Sequence, residues 1–99
     1  MTAFAGQRLE QYTLLHPQEV LLVKAKVEGQ PDEVSIFKGF SSSLIRPTAV
    51  DPDVPVLPND AVILSIDRLH SPYNPAQPNI IQTDLTWADF LVLLERDGL

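Results

Sequence analysis

The chain has no cysteine among its 99 residues. This excludes disulfides, thiolate metal sites and cysteine nucleophiles, and it fits a reducing compartment. Bases are scarce: seven Lys and Arg stand against thirteen Asp and Glu, a formal net charge of −6. Non-specific binding to nucleic acid or to an anionic membrane needs a basic field. The average field here has the opposite sign, so only a local basic spot could serve. Long hydrophobic runs are missing as well. The longest, residues 90–94, falls far short of a membrane span, and residues 1–10 hold no apolar stretch behind a basic cluster of the kind a signal peptide needs. A soluble cytoplasmic protein with no membrane insertion is expected.

What is present is globular: 44% hydrophobic and 20% charged residues, at a length that suits one domain spanning residues 1–99. Residues 7–15 carry apolar side chains at weak helical spacing and stop before Pro17. They read as a short helix or as an extended arm. Residues 19–28 are the clearest strand. Alternation puts Leu21, Val23, Ala25 and Val27 on one face and Leu22, Lys24, Lys26 and Glu28 on the other. Residues 29–32 have turn composition, and a second strand over 33–40 completes an antiparallel hairpin.

Proline then changes the character of the chain. Pro47, Pro52, Pro55 and Pro58 interrupt any regular ladder, while Val50, Val54, Val56 and Leu57 are too apolar for a linker. A long extended surface loop pinned by those aliphatics is expected. A third strand over 61–69, a proline-rich loop over 71–78 and a short strand over 79–83 follow. The last element is a helix with Thr86 as N-cap, Asp89 as its capping-box partner, a face of Trp87, Phe90, Leu91 and Leu94, and Gly98 at the C-terminal stop. The predicted class is α+β: a small antiparallel sheet, curled or barrel-like, with a C-terminal helix and a short N-terminal one.

The chemistry-bearing residues form no catalytic set. His16 and His70 lack metal-site spacing and read as solvent-facing loop histidines. Asp51 and Asp53 lack the glycine and terminal glutamate of a calcium loop. No metal or cofactor is expected, and no enzyme activity. Lys38, Ser41, Ser42, Ser43, Arg46 and Thr48 cluster around Gly39. They read either as turn hydroxyls bonded to nearby backbone or as a cradle for a phosphate or carboxylate. Asp67 and Arg68 fall on opposite faces of their strand, with a structural salt bridge as the default. Phe40 and Tyr73 read either as packed aromatics or as exposed partner anchors.

Two runs carry a resemblance. One extends from Phe37-Lys38-Gly39-Phe40-Ser41-Ser42-Ser43-Leu44-Ile45-Arg46-Pro47-Thr48 to Val54-Pro55-Val56-Leu57-Pro58. The other is Ile63-Leu64-Ser65-Ile66-Asp67-Arg68-Leu69 with Ser71-Pro72-Tyr73-Asn74-Pro75. Over residues 8–96 the chain resembles a family of small uncharacterised proteins of cyanobacteria and plant chloroplasts. The resemblance implies a setting, cyanobacterial cytoplasm or plastid stroma, and supplies no activity.

The leading expectation is a non-enzymatic protein-binding or adaptor module, an assembly or regulatory factor with proline-stiffened loops as its pre-organised surface. The alternative is RNA or small-anion binding through Lys38, Arg46 and Arg68, with Phe40 and Tyr73 for stacking. An unpaired sheet edge leaves a monomer and a weak homodimer both open.

Overall fold

A computed structural model describes residues 5–44, 57, 61–74 and 76–99. Helix α1 (Ala5–Leu15) leads into strands β1 (Glu19–Val27), β2 (Gln30–Phe37), β3 (Phe40–Ser43), β4 (Val62–His70) and β5 (Ile80–Leu85), and helix α2 (Trp87–Arg96) closes the order. The strands form one open antiparallel sheet in the order β3-β2-β1-β4-β5. The class is α+β as expected, and the sheet does not curl shut into a barrel.

The first strand of the sequence is the central strand of the sheet, and its composition explains why. Val20, Leu21, Leu22 and Val23 are all buried, whereas Lys24 and Lys26 are exposed between buried Ala25 and Val27. An uninterrupted aliphatic run suits a strand flanked on both edges and covered on both faces.

The turns correct the sequence reading. The β1–β2 turn is Glu28-Gly29, both at positive φ (53° and 77°), not residues 29–32. Gln30 pairs with Val27 and Pro31 with Lys26. Pro31 stands next to the first residue of β2, near a strand end where a missing N–H is tolerated. The expected single strand over 33–40 is two strands. Lys38 (φ 50°) and Gly39 (φ 82°) form a second tight turn, and Phe37 pairs with Phe40. Two positive-φ residues with glycine second is the mirror-image turn that matches strand twist.

Both helices lie on one face of the sheet. Leu9 and Tyr12 from α1, Phe90 and Leu94 from α2, and Leu57 pack with Leu21, Val23, Ala25, Val34, Ile36 and Ile66. The Tyr12 and Phe90 rings meet edge to face at 4.9 Å. Leu57 thus ties its part of the proline-rich stretch to the core, while Val50, Val54 and Val56 lie outside the described residues.

α1 has no acid in its first turn and no base in its last, so tertiary contacts must hold it. The Thr13 hydroxyl donates to the Glu10 carbonyl (2.8 Å) and accepts the Gly39 N–H (2.9 Å). α2 is locally well specified. The Thr86 hydroxyl accepts the Asp89 N–H at 3.1 Å, the Asp89 carboxylate accepts the Thr86 N–H at 3.2 Å, and the Gly98 and Leu99 N–H groups close the C-terminus onto Glu95 and Leu94.

Phe90 is fully buried, and Val92, two residues along the same helix, is 65% exposed. Phe90→Ala is expected to cost about 3–5 kcal/mol, and Val92→Ala less than about 0.5 kcal/mol, as read from urea unfolding midpoints at constant slope.

Candidate functional site

The polar residues sort onto the two faces of the sheet. On the helix side, the pairings Arg68↔Leu21, Leu21↔Ile36 and Ile36↔Ser41 make one row across four strands. At the β4 end of that row the Arg68 guanidinium grips the Glu19 carboxylate with two bonds, Nε to Oε1 at 2.9 Å and Nη2 to Oε2 at 3.1 Å. The Tyr12 hydroxyl donates to the same Oε1 at 2.9 Å, and the Arg68 Nη1 donates to the Gln82 side chain. At the β3 end the Ser41 hydroxyl donates to Glu10 of α1 at 2.7 Å. One row of sheet residues is thus tied to α1 directly at Ser41 and through Glu19 at Arg68.

His16 extends the network. Its ring stacks on Tyr12 at 4.3 Å, its Nε2 lies 2.7 Å from Asp97 Oδ2, and its Nδ1 lies 3.6 Å from Glu19 Oε2. The expectation of a solvent-facing loop histidine is therefore corrected. Helical spacing sets the ring against Tyr12 at i and i+4, and the carboxylate at the C-cap of α2 holds it there. His70 ends β4 and is exposed.

The environment shifts several ionisations. Burial is the largest influence on Glu19 and raises its pKa, but the bonds from Arg68 and Tyr12 together with the charges of Arg68 and His16 outweigh it, so the carboxyl sits below its ordinary value. Arg68 is held above its ordinary range chiefly by its bond to Glu19. Burial, then the bond to Glu19, pushes the Tyr12 phenol up to about 12. Asp97 is lowered, first by its bond to His16. Both imidazole nitrogens face carboxylates and the guanidinium is occupied, so this cluster cross-links elements and presents no open nucleophile. Among the described residues no group of three or more His, Asp or Glu side chains could hold a metal ion.

The residues singled out from the sequence part company here. Arg68, Ser41 and Ser43 lie on the helix side, with the Ser43 hydroxyl donating to Asp32 at 2.8 Å. Phe40 and Ser42 alternate onto the opposite face and are exposed, Phe40 at 79%. Lys38 sits in the β2–β3 turn with its Nζ 5.2 Å from the Phe37 ring centroid. Tyr73 is half-buried in the β4–β5 connection, whose base is tied by Ser71 N–H to the Gln18 carbonyl and His70 N–H to the Asn79 carbonyl. Arg46 and Thr48 lie outside the described residues. The thickness of the sheet therefore separates Arg68 from Phe40. The sequence reading missed Tyr12, His16, Glu19 and Asp97. The Tyr12–His16 spacing was a usable local signal, whereas Asp97 is 81 positions from its partner.

A family model described as Domain of unknown function (DUF7734) matches residues 6–94. The chain belongs to the DUF7734 family. No curated protein and no solved structure matches it. The DUF7734 match takes in the whole Tyr12–Glu19–Arg68 cluster and the Phe40 surface, and it ends before Asp97. No helix among the described residues is long and apolar enough to cross a membrane.

Arg68→Met would leave the Glu19 carboxylate buried without its cation, and is expected to cost about 3 kcal/mol near neutral pH. Glu19 and Asp97 have folded pKa values below their unfolded ones. Their stabilisation is therefore complete above the ordinary carboxylate range and is lost as pH falls through the lowered folded values. Urea unfolding measured from neutral pH down through that range should show a steep acid loss, flattened in Glu19→Gln.

Proposed function

We propose that this chain is a non-enzymatic protein-binding module whose docking surface is the helix-free side of the β2–β3 hairpin. The observation that carries the reading is the exposure of Phe40 at 79%, on a strand paired in register with Phe37. A large aromatic held at a fixed place on a rigid sheet loses little freedom when it docks, and such residues anchor interfaces. Leu44 (49%) follows Phe40 on the same side by alternation, and Val62 (56%), opposite Lys26 across β1, stands on that face too. Leu44 stands two rows from the aromatic pair and Val62 three, so they add separate aliphatic contacts along the same face.

The cluster on the other face supports this reading from a second direction. Its ionisable groups are engaged with one another, so they hold the scaffold and leave the hairpin to meet the partner. RNA or small-anion binding through Lys38, Arg46 and Arg68 is the weaker reading, because Glu19 already occupies Arg68. The resemblance to proteins of cyanobacteria and chloroplasts supports a setting in cyanobacterial cytoplasm or plastid stroma, with a role as an assembly or regulatory factor.

Capture from a photosynthetic cell extract, comparing the native chain with Phe40→Ser, tests the docking surface. The native chain is expected to retain a discrete partner that the variant releases, while the unfolding midpoint changes little because the side chain is exposed. Equal retention by both chains would remove the Phe40 surface from the reading.

A further inference from the structure

The Phe40 surface has a charge pattern that specifies its partner. All three lysines of the chain, Lys24, Lys26 and Lys38, belong to it. Lys24 and Lys26 alternate away from buried Val23, Ala25 and Val27, and Lys38 stands beside the Phe37 ring. The described arginines are committed to contacts elsewhere. Arg8 lies over Trp87 at 5.8 Å and donates to the Leu99 carbonyl, Arg68 binds Glu19, and Arg96 lies 3.4 Å from Asp97. None of the three lysines has an ion-pair partner within 4.0 Å among the described residues. In a chain of net charge −6, the cationic groups without an ion-pair partner among the described residues are therefore concentrated on one face.

The register lays out that face. Phe37 and Phe40 form one row, Ser35 and Ser42 the next, Lys24 and Glu33 the next, and Lys26 and Pro31 the last. Two-residue steps along a strand are about 6.6–6.8 Å, so Lys24 stands about 13 Å from the aromatic row with hydroxyls between. Lys38 bounds the aromatic row at its other end. Among the described residues, acids on the face include Glu33, opposite Lys24, and Asp67, whose Oδ1 accepts the Asp84 N–H at 2.9 Å. Glu28 borders the face in the β1–β2 turn.

We infer that the partner is an acidic, apolar protein segment. It places a hydrophobic side chain on Phe37 and Phe40 and carboxylates on Lys24 and Lys26 at one end and Lys38 at the other. This rests on the docking surface proposed above and names the chemistry of its occupant. Apolar anchors flanked by unpaired ammonium groups fit alternating acidic and hydrophobic side chains, and charge complementarity of this kind sets partner choice and on-rate. Exposed Leu44 and Val62 suit aliphatic contact better than base stacking. The negative field of the rest of the chain also opposes a long polyphosphate more than a short peptide.

The test is titration of isotope-labelled protein, followed by amide NMR shifts, with three probes: a synthetic peptide of alternating glutamate and leucine, its lysine–leucine counterpart, and oligouridylate. The glutamate–leucine peptide is expected to move amides of residues 24–26 and 35–44. Its affinity should fall on the order of tenfold in Lys24→Glu/Lys26→Glu and persist in Lys24→Arg/Lys26→Arg. The lysine–leucine peptide should leave these amides in place. Indifference to charge reversal, or equal response to the two peptides, overturns the acidic partner. If that response is still lost in Phe40→Ser, the docking surface itself stands. Response to oligouridylate alone overturns the protein class of partner. Silence toward all three probes, together with equal partner retention by native chain and Phe40→Ser, overturns the docking surface as well.

Discussion

The Glu19 carboxylate is the contact on which the rest of the architecture leans. It stands at the first position of the central strand and receives the Tyr12 hydroxyl from α1 and two guanidinium bonds from β4. Taking a carboxylate out of water is costly, and only good geometry with several donors offsets it. Here three donors converge on two oxygens, and no described buried side-chain polar atom lacks a partner. The same carboxylate fixes where α1 sits. That helix has weak intrinsic support and reaches its place through Tyr12, Thr13 and Glu10, each bonded to a different strand or turn. His16 and Asp97 then join the end of α1 to the end of α2.

On the helix side the chemistry-bearing residues, which form no catalytic set in the sequence, are drawn together in space and bonded to one another. A histidine between two carboxylates, a tyrosine and an arginine resemble a catalytic set, but each donor already has an acceptor inside the cluster. The opposite side has the reverse character. Among the described residues, its lysines lack ion-pair partners and one of its phenylalanines is largely solvated. The sheet works as a partition, with mutually bonded polar groups on one side and solvent-facing lysines and phenylalanine on the other.

Much of the architecture was legible in the sequence because it is written locally. The alternation after Val23, the Thr86–Asp89 pair and the apolar spacing of α2 each encode an element within a few residues, and each element is present. The Lys38-Gly39 turn was missed because the flanking residues read as one β-rich run. Nothing in Phe37 or Phe40 announces a reversal, and glycine two residues before three serines looks like the start of a loop. Pro31 misled in the other direction, drawing the first turn too late, since proline is allowed near the start of a strand. The Glu19 cluster was illegible for a different reason. Its members lie at positions 12, 16, 19, 68, 82 and 97, and only the sheet register brings them together.

The alternating half of β1 has a consequence for mutational tolerance. Between Val23 and Val27 the strand presents lysine and aliphatic side chains by turns to opposite environments. Sliding the strand by one position against its neighbours would drive two ammonium groups into the apolar interior and expel Ala25 and Val27. Insertions or deletions inside this strand are therefore intolerable, while the Lys24/Ala25 irregularity in its pairing with β4 marks the place where an extra residue has already been absorbed on the neighbouring strand.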